Sequence, residues 1–375
     1  MSCKKCNLPK TVVLRKKDYY CADCFMTSTN HKFRACLGKH KILLPNEPVL
    51  VCLSGGIGST VLLDLIHYSL SLENTKKLRI KPFFLHLMGD DQKDIAEYII
   101  IQCNKYDFDI FVIHLSDYLD TKDKLHEANC LPLVEQDFAA QFKNMLSSMP
   151  PTAANDFLLK VKRNLFIKYA KQLNCNTVFT AETTNTLAIN LLCNLAVGRG
   201  SQVQNDVGFS DNRDDKVKIL RPMKDLNKED LDYYVTIKKL QLLCNNSLKD
   251  NNSLQSVIST FVSDLQDNFQ ATISTVCKTA DKIGNYKEDK SHEKCVICES
   301  DIKDRDLKMS ALEATNVSRT VSFSNIQTNT TDIINGYQNN TNNAVFPLVH
   351  KYLCYGCSRN HSEMNLPSLP LRIHP

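Results

Sequence analysis

From Val49 onward the chain alternates short continuous apolar runs with longer amphipathic ones. Val49-Leu50-Val51-Cys52-Leu53 reads as a strand buried on both faces, ended by Ser54-Gly55-Gly56. Residues 60–70 then read as a helix with Ser59 as its N-cap. Further strands are predicted at 82–87, 108–115, 177–180 and 216–220, and further helices at 91–104, 157–173 and 183–197. Apolar strands alternating with helices predict an α/β fold, a parallel sheet flanked by helices on both faces. Residues 254–276 carry apolar side chains from Leu254 through Ile258, Phe261, Val262 and Leu265 to Val276, the repeat of one long amphipathic helix. Packing on its own domain is the simplest use of that stripe, and a partner surface the alternative.

Between 315 and 343, 17 of 29 residues are Asn, Ser or Thr, which is too little apolar surface to fold alone, so a disordered insert is expected there. Four segments follow: a basic lobe at 1–46, an α/β core at 47–250, the amphipathic helix at 251–290, and a C-terminal lobe at 291–375 that carries the insert.

Composition changes this picture through cysteine. The 375 residues include 16 Cys but only 11 Gly and no Trp. Disulfides belong to oxidising compartments, and Met1 leads directly into Ser2-Cys3-Lys4-Lys5-Cys6 with no apolar leader. No run approaches the roughly 18 apolar residues of a membrane span. The expectation is a cytoplasmic protein without a membrane partner, in which paired cysteines hold a metal. Eight cysteines fall in four Cys-x-x-Cys pairs: Cys3/Cys6, Cys21/Cys24, Cys295/Cys298 and Cys354/Cys357. The single ones sit mostly in apolar runs and read as small buried hydrophobes.

Two such knuckles supply four thiolates, the usual closed structural Zn2+ site. Cys3, Cys6, Cys21 and Cys24 have zinc-ribbon spacing. Cys295, Cys298, Cys354 and Cys357 make a second candidate site, with 55 residues between the inner pair that the insert helps explain. Loop closure grows only logarithmically with length, so a long insert costs little. His31 and His292 lie nearby, but four sulfurs suffice.

Charge adds a third feature. Ten Lys and Arg against Asp18 and Asp23 give residues 1–41 a charge of +8, more than the +5 of the whole chain. Such a patch fits RNA phosphates, with Lys32, Arg34 and Lys39 as candidates in this lobe. A merely solvated basic surface is the alternative. Three of the scarce glycines stand in Ser54-Gly55-Gly56-Ile57-Gly58-Ser59, between a strand and a helix. Backbone N–H groups at such a turn cradle a phosphate, with Ser54, Gly55, Gly56 and Ser59 as candidates. An empty tight turn reads equally well, and the Lys-Ser/Thr ending of a Walker loop is absent.

Ser54-Gly55-Gly56-x-x-Ser59 resembles the pyrophosphate loop, Ser-Gly-Gly-x-Asp-Ser, of the PP-loop (adenine nucleotide alpha hydrolase-like) ATP-pyrophosphatases. The flanking motifs are His31-Lys32-Phe33-Arg34-Ala35-Cys36-Leu37-Gly38-Lys39, Gly198-Arg199-Gly200, Gly208-Phe209-Ser210-Asp211, Arg221-Pro222-Met223-Lys224 and Leu353-Cys354-Tyr355-Gly356-Cys357. With these the chain resembles the cytoplasmic tRNA 2-thiolation protein 2 family from Cys3 to about Pro370, outside the insert. The resemblance implies a PP-loop core between two zinc lobes, and a subunit of the complex that 2-thiolates the wobble uridine of lysine, glutamate and glutamine tRNAs. It also implies a catalytic tRNA 2-thiolation protein 1 paralogue as partner, with sulfur from a thiocarboxylated ubiquitin-related modifier.

The sequence departs from the thiolating relatives at the reacting groups. The loop aspartate is Gly58. Their paired cysteines fall at Asn155 and Leu158, which can hold neither an iron–sulfur cluster nor a persulfide. Their paired arginines fall at Lys162 and Arg163, which with Arg199 are further RNA candidates near the cradle. Their acidic stretch is Ala181-Glu182-Thr183-Thr184-Asn185, with one carboxylate, and their third cluster cysteine falls near Ser247, with Cys244 offset. The resemblance therefore implies a chain with no catalytic residue and no cluster, ATP binding being open. The alternatives are an active tRNA-adenylating sulfurtransferase and a RING-type interaction protein, the latter disfavoured by the long gap and the intervening sheet.

Overall fold

A computed structural model describes residues 1–72, 77–120, 122, 127–243, 252–269, 271–283, 293–302, 315 and 352–362. Cys244, Ser247, His292, the expected segment boundaries near 250 and 290, and the insert apart from Thr315 lie outside the described residues. The chain divides into two compact units, Met1–Tyr286 and Lys287–Pro375.

The first unit begins with an antiparallel hairpin, β1 (Val12–Leu14) and β2 (Asp18–Tyr20), followed by α1 (Ala22–His40). Composition alone marked this basic stretch as a lobe; it holds a 19-residue helix that buries Phe25, Phe33, Cys36 and Leu37 in the main core. That core surrounds a six-stranded sheet of β3 (Glu47–Leu53), β4 (Ile80–Met88), β5 (Ile110–His114), β6 (Thr177–Phe179), β7 (Ser210–Asp211) and β8 (Lys218–Leu220). The order is β5-β4-β3-β6-β8-β7, parallel throughout except for β7. Val51 pairs with Phe84 on one side and Phe179 on the other, so the continuous apolar run of β3 is central and buried.

The helices are α2 (Ile57–Ser71), α3 (Lys93–Asn104), α4 (Gln136–Ser147), α5 (Pro151–Gln172), α6 (Thr184–Ala196), α7 (Val203–Val207) and α8 (Lys228–Lys238). One expected helix start is corrected. α2 starts at Ile57 with Gly56 as N-cap, and Ser59 lies inside its first turn, its hydroxyl donating to the Gly56 carbonyl at 2.8 Å. The low helix preference of Gly58 hides this earlier start from a propensity reading.

The long amphipathic helix is also corrected. It is two helices, α9 (Leu254–Asn268) and α10 (Thr272–Ile283), separated at Phe269, whose φ of −135° and ψ of 67° are not helical. The apolar repeat runs through the break because both helices bury against α6: Val262 and Ile273 meet Ala188, and Ala280 meets Leu187 and Leu191. No described helix is long and apolar enough to cross a membrane.

In the second unit the Lys294–Asp301 bridge folds the strip around Cys295 and Cys298 back on itself. The Val296 N–H donates to the Tyr352 carbonyl at 3.0 Å, joining it to the arm that leads into α11 (Tyr355–Ser362).

Candidate functional site: a strand-edge loop and two cysteine clusters

The strand order reverses between β3 and β6, and the crevice outside the carboxyl ends of strands at such a point is where open α/β sheets bind ligands. Ser54-Gly55-Gly56 occupies that place. Gly55 has φ +81°, and a Cβ there would stand 2.5 Å from Ile95 Cγ2, so glycine is required both for the turn and for the close approach of α3. Gly56 has no side-chain cap bond and the first turn of α2 has no acidic residue, which leaves the positive end of the helix dipole uncompensated.

Across the crevice stand the groups that follow β6 and β8. A Cβ on Gly58 would meet the Ala181 carbonyl oxygen at 2.9 Å, closer than any relaxed contact. The position that carries the motif's aspartate is thus filled by a neighbouring backbone. Glu182, the single carboxylate of its stretch, accepts from Arg221 Nε at 2.8 Å and from the Thr180 hydroxyl at 2.7 Å. Arg221 also donates to the Gly208 carbonyl at 2.9 Å. Neither position offers a free carboxylate to a divalent cation. Asn155 and Leu158 both lie on α5, which begins at Pro151 rather than at the expected 157, and among the described residues no metal-ligating set includes α5. An iron–sulfur cluster does not fit these side chains.

The eight paired cysteines do come together. Cys3, Cys6, Cys21 and Cys24 form one set and Cys295, Cys298, Cys354 and Cys357 the other, with all sulfurs of each set within 4.8 Å of one another. Cys6 and Cys21 sulfurs are 3.4 Å apart, and those of Cys298 and Cys354 3.6 Å. Those separations match a tetrahedron of sulfurs about 2.3 Å from a central ion and are far beyond a disulfide of about 2.05 Å. None of the eight is in a disulfide. Backbone N–H groups of Lys5 and Cys24 point at the sulfurs of Cys3 and Cys21, and the Ser300 hydroxyl lies 3.2 Å from Cys298 Sγ. Such donors favour thiolate, the form a metal takes. In the C-terminal set the Cys295 thiol helps pull Cys354 down to about 7.

The basic candidates divide. Arg199 is 1% exposed and binds Asp156 through two nitrogens, each at 2.6 Å. Arg163 Nε lies 2.7 Å from Asp211, which also takes Arg213. Burial alone would raise the Asp211 carboxyl, but Arg213 and Arg163 override it and hold it well below the usual carboxylate range. Arg163 and Arg199, expected as RNA candidates, are thus both held in buried ion pairs that brace the fold. Lys32 is committed as well, its amine 3.1 Å from the buried Asp230 at the start of α8. Arg34 is half-buried and bonds the Asn30 carbonyl, whereas Lys39 is exposed in the last turn of α1. Among the described residues Lys162 on α5 has no carboxylate partner, and burial lowers its pKa.

Sequence reasoning missed Asp64 and the role of Arg221. Asp64 on α2 accepts from the hydroxyls of Tyr106 at 3.0 Å and Tyr234 at 2.6 Å, pinning α8 to the helix behind the loop. These pairs span 42 and 170 residues, a distance over which no local pattern signals contact.

The family model for cytoplasmic tRNA 2-thiolation protein 2 matches residues 253–359, which hold α9, α10 and the second cysteine set. A cytoplasmic tRNA 2-thiolation protein 2 of Aedes aegypti is 32% identical over 81% of this chain and 69% of that protein. The chain belongs to this family. The family's protein in Drosophila virilis is 30% identical over 98% of the chain and 92% of its own length, so the likeness runs through the sheet as well. Among solved structures, the U34-tRNA thiolase NcsA of Methanococcus maripaludis, determined with its [4Fe-4S] cluster, is 18% identical. It superimposes with a TM-score of 0.60 over 79% of this chain and 89% of its own. That likeness shows the fold alone, the expected parallel sheet flanked by helices. Membership of the family assigns the chain a role in tRNA 2-thiolation, and the family's name places its members in the cytoplasm.

Proposed function

We propose that the chain is the non-reacting, tRNA-holding subunit of a complex that 2-thiolates the wobble uridine of lysine, glutamate and glutamine tRNAs. The observation that carries this reading is the closed crevice, in which Gly58 lies against the Ala181 carbonyl and Glu182 is tied to Arg221 and Thr180. Asn155 and Leu158 add that thiol chemistry has no nucleophile here. Adenylation and sulfur transfer then fall to a catalytic tRNA 2-thiolation protein 1 paralogue, with sulfur from a thiocarboxylated ubiquitin-related modifier and 5-methoxycarbonylmethyl-2-thiouridine as product.

Each four-cysteine set holds one structural Zn2+. The ion closes a lobe and takes no part in chemistry, because four thiolates leave it no open position. tRNA phosphates meet the exposed cations of the first lobe, Lys5, Lys10, Arg15, Lys17, Lys39 and Lys41, together with the half-buried Arg34. That contact gives salt-dependent affinity without reading sequence. Lys32 serves through Asp230 by setting the angle at which α1 presents this face.

The test is to purify the chain alone and with the paralogue, and to assay thiolation of tRNA. The isolated chain is expected to be inactive and the pair active; activity of the isolated chain would overturn the reading in favour of a self-sufficient enzyme.

A further inference from the structure

β5 is an edge strand of the sheet, and a cavity of about 330 Å³ lies past the carboxyl ends of β4 and β5. Asp90, His114 and Leu115 line it from those ends, and Phe142, Lys143 and Leu146 from α4. None of its lining residues belongs to the Ser54–Ser59 loop, which follows β3. Leu115 and Phe142 are buried, so the walls are apolar, and the volume is that of a small-ligand site.

The cavity's one carboxylate is steered from behind. The Ser116 N–H donates to His114 Nδ1 at 3.3 Å, and the Ser116 hydroxyl lies 2.7 Å from the same nitrogen. Nδ1 is therefore the acceptor, and Nε2 carries the proton. That Nε2 lies 3.0 Å from Asp90 Oδ1. His114 and Ser116 are buried, whereas the Asp90 side chain is 37% exposed. An ionised carboxylate has about four acceptor sites, of which His114 takes one, so Asp90 is fixed in direction and still open to an outside donor. Lys143 adds one exposed cation at the same cavity.

The geometry points to a recognition site for one unpaired guanine nucleotide of an RNA, with the base between the apolar walls, its N1–H and 2-amino group on Asp90, and its phosphate at Lys143. Walls that include an aromatic ring suit a planar base. A carboxylate only accepts, and guanine is the base whose pairing edge offers two parallel N–H donors. The exposed lysine suits an anion attached to that base. It repels an arginine side chain, the other ligand that a carboxylate beside apolar walls would take. The inference rests on the tRNA-holding reading and deepens it: the basic lobe meets phosphates without reading sequence, and this cavity reads one base.

The probes are the pentanucleotide UUGUU and the same strand with inosine in place of guanosine, which removes only the 2-amino group. Each is titrated into the full chain and followed by fluorescence anisotropy. The guanosine strand is expected to bind about tenfold or more tightly, the effect of one hydrogen bond to a charged group. Asp90→Asn should make the two strands bind alike, and Lys143→Gln should weaken both by the same factor and keep the preference. Thermal midpoints of both variants check that the fold is intact. Equal binding of the strands to the folded parent, a preference that survives Asp90→Asn, or displacement of the guanosine strand by magnesium ATP would overturn the inference. Free guanosine monophosphate separates the sources: weaker binding than the strand supports an RNA ligand, and binding as tight as the strand overturns it. No turnover is measured, so failure here leaves the partner-subunit reading standing, and an active isolated chain would sink that reading without touching this selectivity.

Discussion

Restoring the motif aspartate is the sharpest perturbation, because the crevice has closed over the place it would occupy. In Gly58→Asp a new Cβ stands 2.9 Å from the Ala181 carbonyl oxygen, whereas an ordinary contact lies beyond about 3.4 Å. The obstacle is backbone at the end of β6 and cannot rotate away. Overpacking of this kind costs about 1–3 kcal/mol. Two effects oppose it: removal of a glycine from a helix is worth up to about 1 kcal/mol, and a carboxylate in the first turn of α2 gains about 0.3–1 kcal/mol from the dipole. The net expectation is a loss of about 1 kcal/mol with no gain of ATP-dependent tRNA adenylation. Gly58→Ala separates the contributions, since it adds the contact without the charge. Urea unfolding of the three proteins at neutral pH, with an adenylation assay alongside, makes the measurement. If Gly58→Asp is as stable as its parent and adenylates tRNA in magnesium, the argument that the crevice excludes the aspartate is wrong.

Three further outcomes follow from the same geometry. Arg199→Met should destabilise by up to about 3–5 kcal/mol, because the buried Asp156 loses its two short bonds to Arg199 and keeps a looser pair with Lys160 at 3.9 Å, while the salt dependence of tRNA binding by the remaining folded protein stays unchanged; a flatter salt slope at full stability would return Arg199 to the RNA interface. The chain as purified should contain two zinc ions by elemental analysis, and Cys24→Ala and Cys298→Ala should each remove one; retention of both ions in either variant would refute the four-sulfur assignment. The Asp211 carboxyl is held below its unfolded value of about 3.9, so its stabilisation is complete above that pH and is lost as pH falls toward the folded value; urea unfolding between pH 7 and pH 3 should show stability declining below about pH 4, and a flat profile would contradict the Arg213–Asp211–Arg163 arrangement.

Local pattern revealed the sheet strands and the metal ligands well, for different reasons. Buried parallel strands are continuous apolar runs, and β3 through β6 stand close to their expected bounds. Cys-x-x-Cys is a local geometric unit, so the knuckles declare themselves even across an insert. What stayed hidden depended on partners far along the chain. Arg163 and Arg199 read as free cations because Asp211 and Asp156 lie 48 and 43 residues away in sequence. The antiparallel strand of the six-stranded sheet, Ser210–Asp211, has only two residues and carries no alternation to detect. The break at Phe269 was invisible because the same face of α6 takes the apolar stripe on both sides of it. Gly58 was legible as a lost carboxylate, but that its space had been taken by Ala181 required the fold.

Cys21 has two roles in the first unit: it contributes to the four-sulfur set, and it is the N-cap of α1, its sulfur accepting from the Cys24 N–H at 3.4 Å. The costly first turn of that helix is therefore wound by the same atoms that would gather the proposed ion, so metal uptake and helix nucleation would be one event. α1 carries Phe25, Phe33, Cys36 and Leu37 into the packing around the sheet. If the proposed ion is bound, a cell short of it would accumulate this chain with an incomplete interior rather than a frayed end, and its abundance would follow metal supply through quality control.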